Sequence, residues 1–205
     1  SDAPNPITGK KMPLITGHEM TGTVVEIADG VSGLQVGDRA VLNTVLTCGT
    51  CRGCLSHQET QCPDMAVAGF ALDGGLAEFM VWRASEVIKL PDNVSSEQAA
   101  LVEPASVALH AVRRSRLQPG ETVVVLGCGT VGLLAMQAAR AMGGRVFAVD
   151  RRQMSLDVAT DLGAEGGVNS ADAGADDSLR ELTGPEGPDL VIDAAGGEHT
   201  PAQAV

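Results

Sequence analysis

The sequence is short of positive charge. It sets 14 lysines and arginines against 26 acidic residues, a formal net charge of −12 over 205 residues. A surface of that sign repels phosphate backbones, which argues against nucleic acid as a partner. No apolar run is long enough to span a bilayer, so no membrane partner is expected. Ser1 is not followed by the charged and then apolar stretch of an export leader, which points to the cytoplasm. No internal repeat or low-complexity segment stands out, and the length suits one large domain or two ordinary ones.

What is present starts with cysteine. Four of the five fall together as Cys48-x-x-Cys51-x-x-Cys54, with Cys62 eight positions on. In a chain without an export signal such spacing favours metal over a pair of disulfides. Four thiolates satisfy the tetrahedral preference of Zn²⁺ and leave no position open for water or substrate. The lobe therefore reads as a structural zinc site. His57, inside it, is expected at the surface.

The stretch Thr122 to Asp150 carries the second signal. Thr122–Leu126 is an uncharged, largely apolar run, the pattern of a strand buried on both faces. Gly127, Gly129 and Gly132 then give G-x-G-x-x-G where strand turns into helix. The first glycine serves the tight turn, the second close approach to a pyrophosphate, the third close packing of helix on strand. Unpaired amides at the helix start, around Thr130 and Val131, offer the diphosphate a binding place. Asp150 ends the next strand, where a carboxylate can accept hydrogen bonds from ribose hydroxyls. Asp150 also repels a 2′-phosphate and so favours NAD over NADP, although Arg151 and Arg152 could host one.

The remaining text is read in order. Ser1 to Pro13 is loop. Gly17-His18-Glu19-Met20-Thr21-Gly22 leads into a strand ending at Ala28, and His18 and Glu19 could reach one metal or form an ordinary surface pair. Asp29–Gly37 is a turn region, Asp38–Leu42 a strand, and Ala77–Trp82 the clearest strand of a glycine-rich section that suggests a small barrel or partly open sheet. Ser95 caps a helix with Gln98 three positions on. Glu103, in an apolar setting, needs a partner, either a metal or the start of a helix beginning after Pro104. His110 on that helix is expected to pack. Beyond Asp150 follow a helix Met154–Leu162 ended by Gly163, a strand Gly167–Asn169, a helix around Ser178–Leu182 and a fourth strand Leu190–Asp193.

Together these residues resemble the zinc-containing, medium-chain alcohol and polyol dehydrogenases. The family's G-H-E-x-x-G signature is matched by Gly17 to Gly22, its zinc lobe by the four cysteines, and its cofactor fingerprint by Gly127 to Gly132. Leu101 to Ala111 resembles the sorbitol, threonine and butanediol dehydrogenase branch, and the loop from Pro4 to Leu14 the butanediol enzymes. The resemblance implies α/β plus β architecture, with a GroES-like irregular β-barrel catalytic domain over residues 1–104 and a doubly wound Rossmann domain over 105–205. It further implies that His18 ligates a catalytic zinc, with Glu19 and Glu103 ligating the metal or hydrogen-bonding its water. An alcohol hydroxyl acidified there would give hydride to a nicotinamide on the adjoining sheet. A homodimer or homotetramer is the implied assembly.

The family also supplies a cysteine ligand upstream of G-H-E, and this chain has none before His18. It has a longer C-terminal part as well, so both domains are expected to be incomplete. Three readings stay open: an NAD-linked zinc dehydrogenase of secondary alcohols, diols or polyols; an inactive zinc- and nucleotide-binding portion; and the zinc-free quinone reductase branch, which the cysteine lobe and His18-Glu19 oppose.

Overall fold

The computed structural model describes residues 13–197 and 200, so the loop expected from Ser1 lies almost wholly outside the described residues. The chain divides into two compact units between Glu103 and Pro104.

In the first unit β1 (Thr21–Thr23) pairs antiparallel with β2 (Arg39–Leu42), setting Thr21 opposite Val41. A two-stranded sheet of β3 (Val45–Leu46) and β4 (Ala66–Val67) brackets the cysteine segment and its short helix α1 (Arg52–Leu55). β5 (Val87–Lys89) completes the first sheet, Val41 opposite Ile88. α2 (Ser96–Ala100) then packs on this sheet, its Ala99 joining Val41 and Leu90 in a small buried cluster. The Arg39 guanidinium, bonded to the carbonyls of Val94 at 2.7 Å and Pro91 at 3.1 Å, fixes the entry to α2. The expected cap is there in full: Ser95 Oγ accepts from Gln98 N while Gln98 Oε1 accepts from Ser95 N.

Three expectations for this region change. The strand after the G-H-E segment stops at Thr23, although bonds between Val24 and Asp38 and between Gly37 and Val24 extend the pairing briefly. Ala77–Trp82 forms no strand; Phe79 and Val81 stand exposed, and no described strand pairs with the segment. A strand needs a neighbour as well as a composition. The helix expected after Pro104 is α3 (Val102–Ser115), which begins before it. Pro104 sits in the first turn, where its missing N–H costs nothing.

The second unit is a parallel sheet of β6 (Thr122–Leu126), β7 (Arg145–Asp150), β8 (Gly166–Asn169) and β9 (Leu190–Asp193), in spatial order β8-β7-β6-β9. Between successive strands run α4 (Thr130–Ala141), α5 (Gln153–Asp161) and α6 (Ala175–Thr183). β6 is buried along its whole length because both faces are covered. Val123 and Val125 face a cluster with Ala108 and Val112 of α3, Ala135, Met136 and Ala139 of α4, and Leu156 of α5. Val124 and Leu126 face Phe147, Val149 and Val168, against which α6 lays Leu179. Each fully buried valine, leucine, methionine or phenylalanine among them contributes about 1.5–3 kcal/mol. The strand order reverses between β6 and β9, and in open α/β sheets ligands bind beyond the strand ends at such a switch. His110 is the fourth correction: it is exposed on α3, since Ala108 and Val112 take the buried stripe.

Candidate functional site

The cysteine segment folds so that its sulfurs converge. Cys51 caps α1, its sulfur accepting from Cys54 N, and Cys54 follows on the first turn of the helix. The sulfurs of Cys51 and Cys54 lie 3.5 Å apart, those of Cys62 and Cys48 3.6 Å, those of Cys48 and Cys54 3.9 Å. A tetrahedron with metal–sulfur bonds of about 2.3 Å has edges of about 3.8 Å, so the four thiols already match zinc, and they are far too open for disulfides. The Thr50 and Cys51 amides donate to Cys48 and hold its thiol down to about 6. Cys51 is pulled down by the Cys54 amide, but sharing with the Cys54 sulfur and burial push it up to about 11. All four become thiolates together only if a cation offsets their repulsion. His57 lies exposed with φ 56, outside this cluster.

A second cluster forms within the same unit. His18 follows Gly17, whose φ of 97 turns the chain, and precedes β1, while Glu103 lies in the first turn of α3. α2 on the sheet brings these distant segments together, and ligand atoms of His18, Glu19 and Glu103 lie within 4.8 Å of one another. The His18 and Glu103 side chains are half-buried and Glu19 is exposed. One imidazole and two carboxylates suit zinc, and three protein ligands leave a coordination position open. The Phe70 ring stands 4.8 Å from the His18 ring at 47°.

The glycine turn follows β6. A Cβ on Gly127, where φ is 89, would meet the Ala195 backbone at 2.8 Å, and one on Gly132 would meet Gly127 O at 1.8 Å. Gly129, at the N-cap of α4, faces open space, with nothing within 4 Å of an added Cβ and no side-chain cap on the helix. Thr130 and Val131 open the helix, both exposed. The cradle therefore fits a diphosphate: tight where helix meets strand, open where a ligand would approach. Asp150 Oδ2 accepts from Cys128 N at 2.8 Å and Oδ1 from Arg152 N at 2.9 Å. Burial opposes its charge, but these amides and the Arg152 guanidinium hold the carboxyl below its ordinary value. Arg152 Nε approaches Oδ1 at 3.5 Å; Arg151 is exposed and makes no such contact. Cys128 is buried, and burial with the nearby Asp150 charge pushes its thiol up to about 11, so it is inert.

Residues 2–92 match the alcohol dehydrogenase GroES-like domain, and residues 130–205 match the zinc-binding dehydrogenase domain. The chain belongs to the zinc-containing medium-chain dehydrogenases. Its two units are accordingly a GroES-like domain and a Rossmann domain. Sorbitol dehydrogenase of Bacillus subtilis is 36% identical over 186 residues, 90% of this chain and 53% of that protein. Among solved structures, an Escherichia coli oxidoreductase of unknown specificity superposes with a TM-score of 0.89 at 32% identity, covering 98% of this chain and 58% of that one. A Sinorhizobium meliloti protein described as a zinc-binding dehydrogenase and bound to NADP gives 0.85 at 30% identity, with 94% and 57% covered. The chain spans about half the length of the curated relatives it matches.

Sequence reasoning missed several contributors to these two candidate sites. Phe70 beside His18, Ala195 behind Gly127 and the Asp150–Cys128 bond carry no local signal. The four-cysteine lobe and the glycine turn, with Asp150 at the expected spacing, were the parts that could be read directly.

Proposed function

We propose that the protein containing this chain is a zinc-dependent dehydrogenase that moves hydride between a secondary alcohol, diol or polyol and NAD. The observation that carries this reading is the convergence of His18, Glu19 and Glu103 on one point. His18 holds the zinc through a ring nitrogen, and Glu19 and Glu103 ligate it or accept hydrogen bonds from its water. A zinc held there would supply Lewis acidity toward an alcohol oxygen, and NAD would be the hydride acceptor. The amides from Gly129 to Gly132 receive the pyrophosphate, and Asp150 receives the ribose hydroxyls, its Oδ2 keeping acceptor capacity beyond the one bond from Cys128 N. Its negative charge favours NAD, with Arg151 and Arg152 flanking the adenosine. Cysteines grouped for metal favour a reducing compartment, the cytoplasm. The likeness to the family supports a homodimer or homotetramer.

The test uses the full-length protein, assayed for metal content and for nicotinamide reduction with a panel of polyols and small diols, using NAD and NADP in parallel. A second metal beyond that of the cysteine lobe, with NAD-linked turnover abolished in His18→Ala, is the expected result. Metal in the lobe alone and no turnover would instead support a nucleotide-binding protein without activity. Full turnover after metal removal would favour the zinc-free branch.

A further inference from the structure

We propose that the loop Gly69–Leu76 is the positioning element for His18, and that Gly74 transmits its hold to the histidine's backbone. The inference rests on His18 being a zinc ligand. Segment Ile15–Gly17, which delivers His18, has its carbonyls bonded to this loop. Gly74 N donates to Ile15 O at 2.8 Å, Leu76 N to Thr16 O at 3.0 Å and Gly75 N to Gly17 O at 3.0 Å, while Ile15 N donates to Asp73 Oδ1 at 3.3 Å.

The approach is too close for side chains. A Cβ on Gly74 would lie 2.2 Å from Gly17 O and 2.6 Å from Thr16 O, and one on Gly69 would lie 2.7 Å from Gly17 N. A Cβ on Gly17 would in turn meet Leu76 Cγ at 2.8 Å. Backbone thus rests on backbone directly before the histidine, and from the same loop Phe70 sets its ring against the imidazole. Gly75 differs: its added Cβ meets no backbone among its nearest neighbours, only the Met20 side chain, whose Sδ at 2.2 Å can turn aside and whose Cβ at 3.0 Å needs to give by only a few tenths of an ångström. Outer residues that aim a ligand typically change metal affinity without binding metal themselves.

Cobalt(II) titration of the full-length protein separates the two sites, because the four-sulfur lobe gives the most intense sulfur-to-metal charge transfer and lower-energy ligand-field bands than a site built on an imidazole and carboxylates. In Gly74→Ala the lobe signal is retained and affinity at the second site falls at least about tenfold, while Gly75→Ala stays close to the unsubstituted protein. Equal affinity in Gly74→Ala and the unsubstituted protein, or equal loss in Gly74→Ala and Gly75→Ala, overturns the inference and leaves His18 as ligand intact. Cobalt in the lobe only, in the unsubstituted protein, sinks the ligand reading itself. If Gly74→Ala loses both metals, Phe70→Leu decides. A shifted ligand-field band at the second site with the lobe intact upholds the loop's role, and an unchanged band overturns it.

Discussion

Gly132→Ala separates a glycine that shapes the cofactor cradle from one that only leaves it open. The added Cβ would lie 1.8 Å from Gly127 O, against the 3.4 Å at which ordinary contact begins, so helix and turn must part by 3.4 − 1.8 = 1.6 Å. α4 has no slack for this, because Ala135, Met136 and Ala139 are buried against β6 and β7. Overpacking a rigid interior costs about 1–3 kcal/mol, and a backbone carbonyl as the obstacle puts this case near 3. If that distortion falls on the cradle, the NAD dissociation constant rises by about a hundredfold. Gly129→Ala is the comparison. Its φ is −79 and nothing lies within 4 Å of the new methyl, so it costs only about 0.5–1 kcal/mol of capping preference, yet the methyl enters the space proposed for pyrophosphate. Calorimetric NAD titration with thermal unfolding of both variants is the assay. The reasoning fails if Gly132→Ala matches the parent in both measurements, or if Gly129→Ala binds NAD as tightly as the parent.

Two further outcomes are expected. Cys54→Ser removes a buried thiol that touches both Cys48 and Cys51, so the lobe releases its metal to a colorimetric chelator and protease cuts between Cys48 and Cys62; retention of metal and resistance to protease would contradict the four-sulfur site. Asp150 has a folded pKa below its ordinary 3.8, so its stabilising effect is complete above that value and fades as pH falls through the lower, folded one. Denaturant unfolding of Asp150→Asn should therefore show a deficit at neutral pH that shrinks below 3.8, and a deficit that grows on acidification would refute the assignment.

The parts of this molecule that were legible are those whose signal is local. β6 declared itself by an unbroken apolar run, the turn by three spaced glycines, and α2 by Ser95 and Gln98. Ala77–Trp82 has strand composition, but pairing depends on a neighbour that composition cannot supply. Pro104 misled because it starts a helix as readily as it precedes one, and His110 misled because the apolar residues around it do not show that the buried stripe runs through Ala108 and Val112. His18 and Glu103 are far apart in sequence, and only packing of α2 on the first sheet joins them; short of family likeness, nothing in either segment names the other. Arg151 and Arg152 were equivalent on paper, and the bend after β7 turned the second one toward Asp150.

Asp150 has one more consequence. Its two carboxylate oxygens are pinned by main-chain amides from two separate segments, one from the turn after β6 and one from the entry to α5. The rotamer is therefore frozen when the sheet forms, before any nucleotide arrives. An acid so anchored would not swing away to admit an additional phosphate, so on the proposed reading a preference for NAD would rest on rigidity as much as on charge.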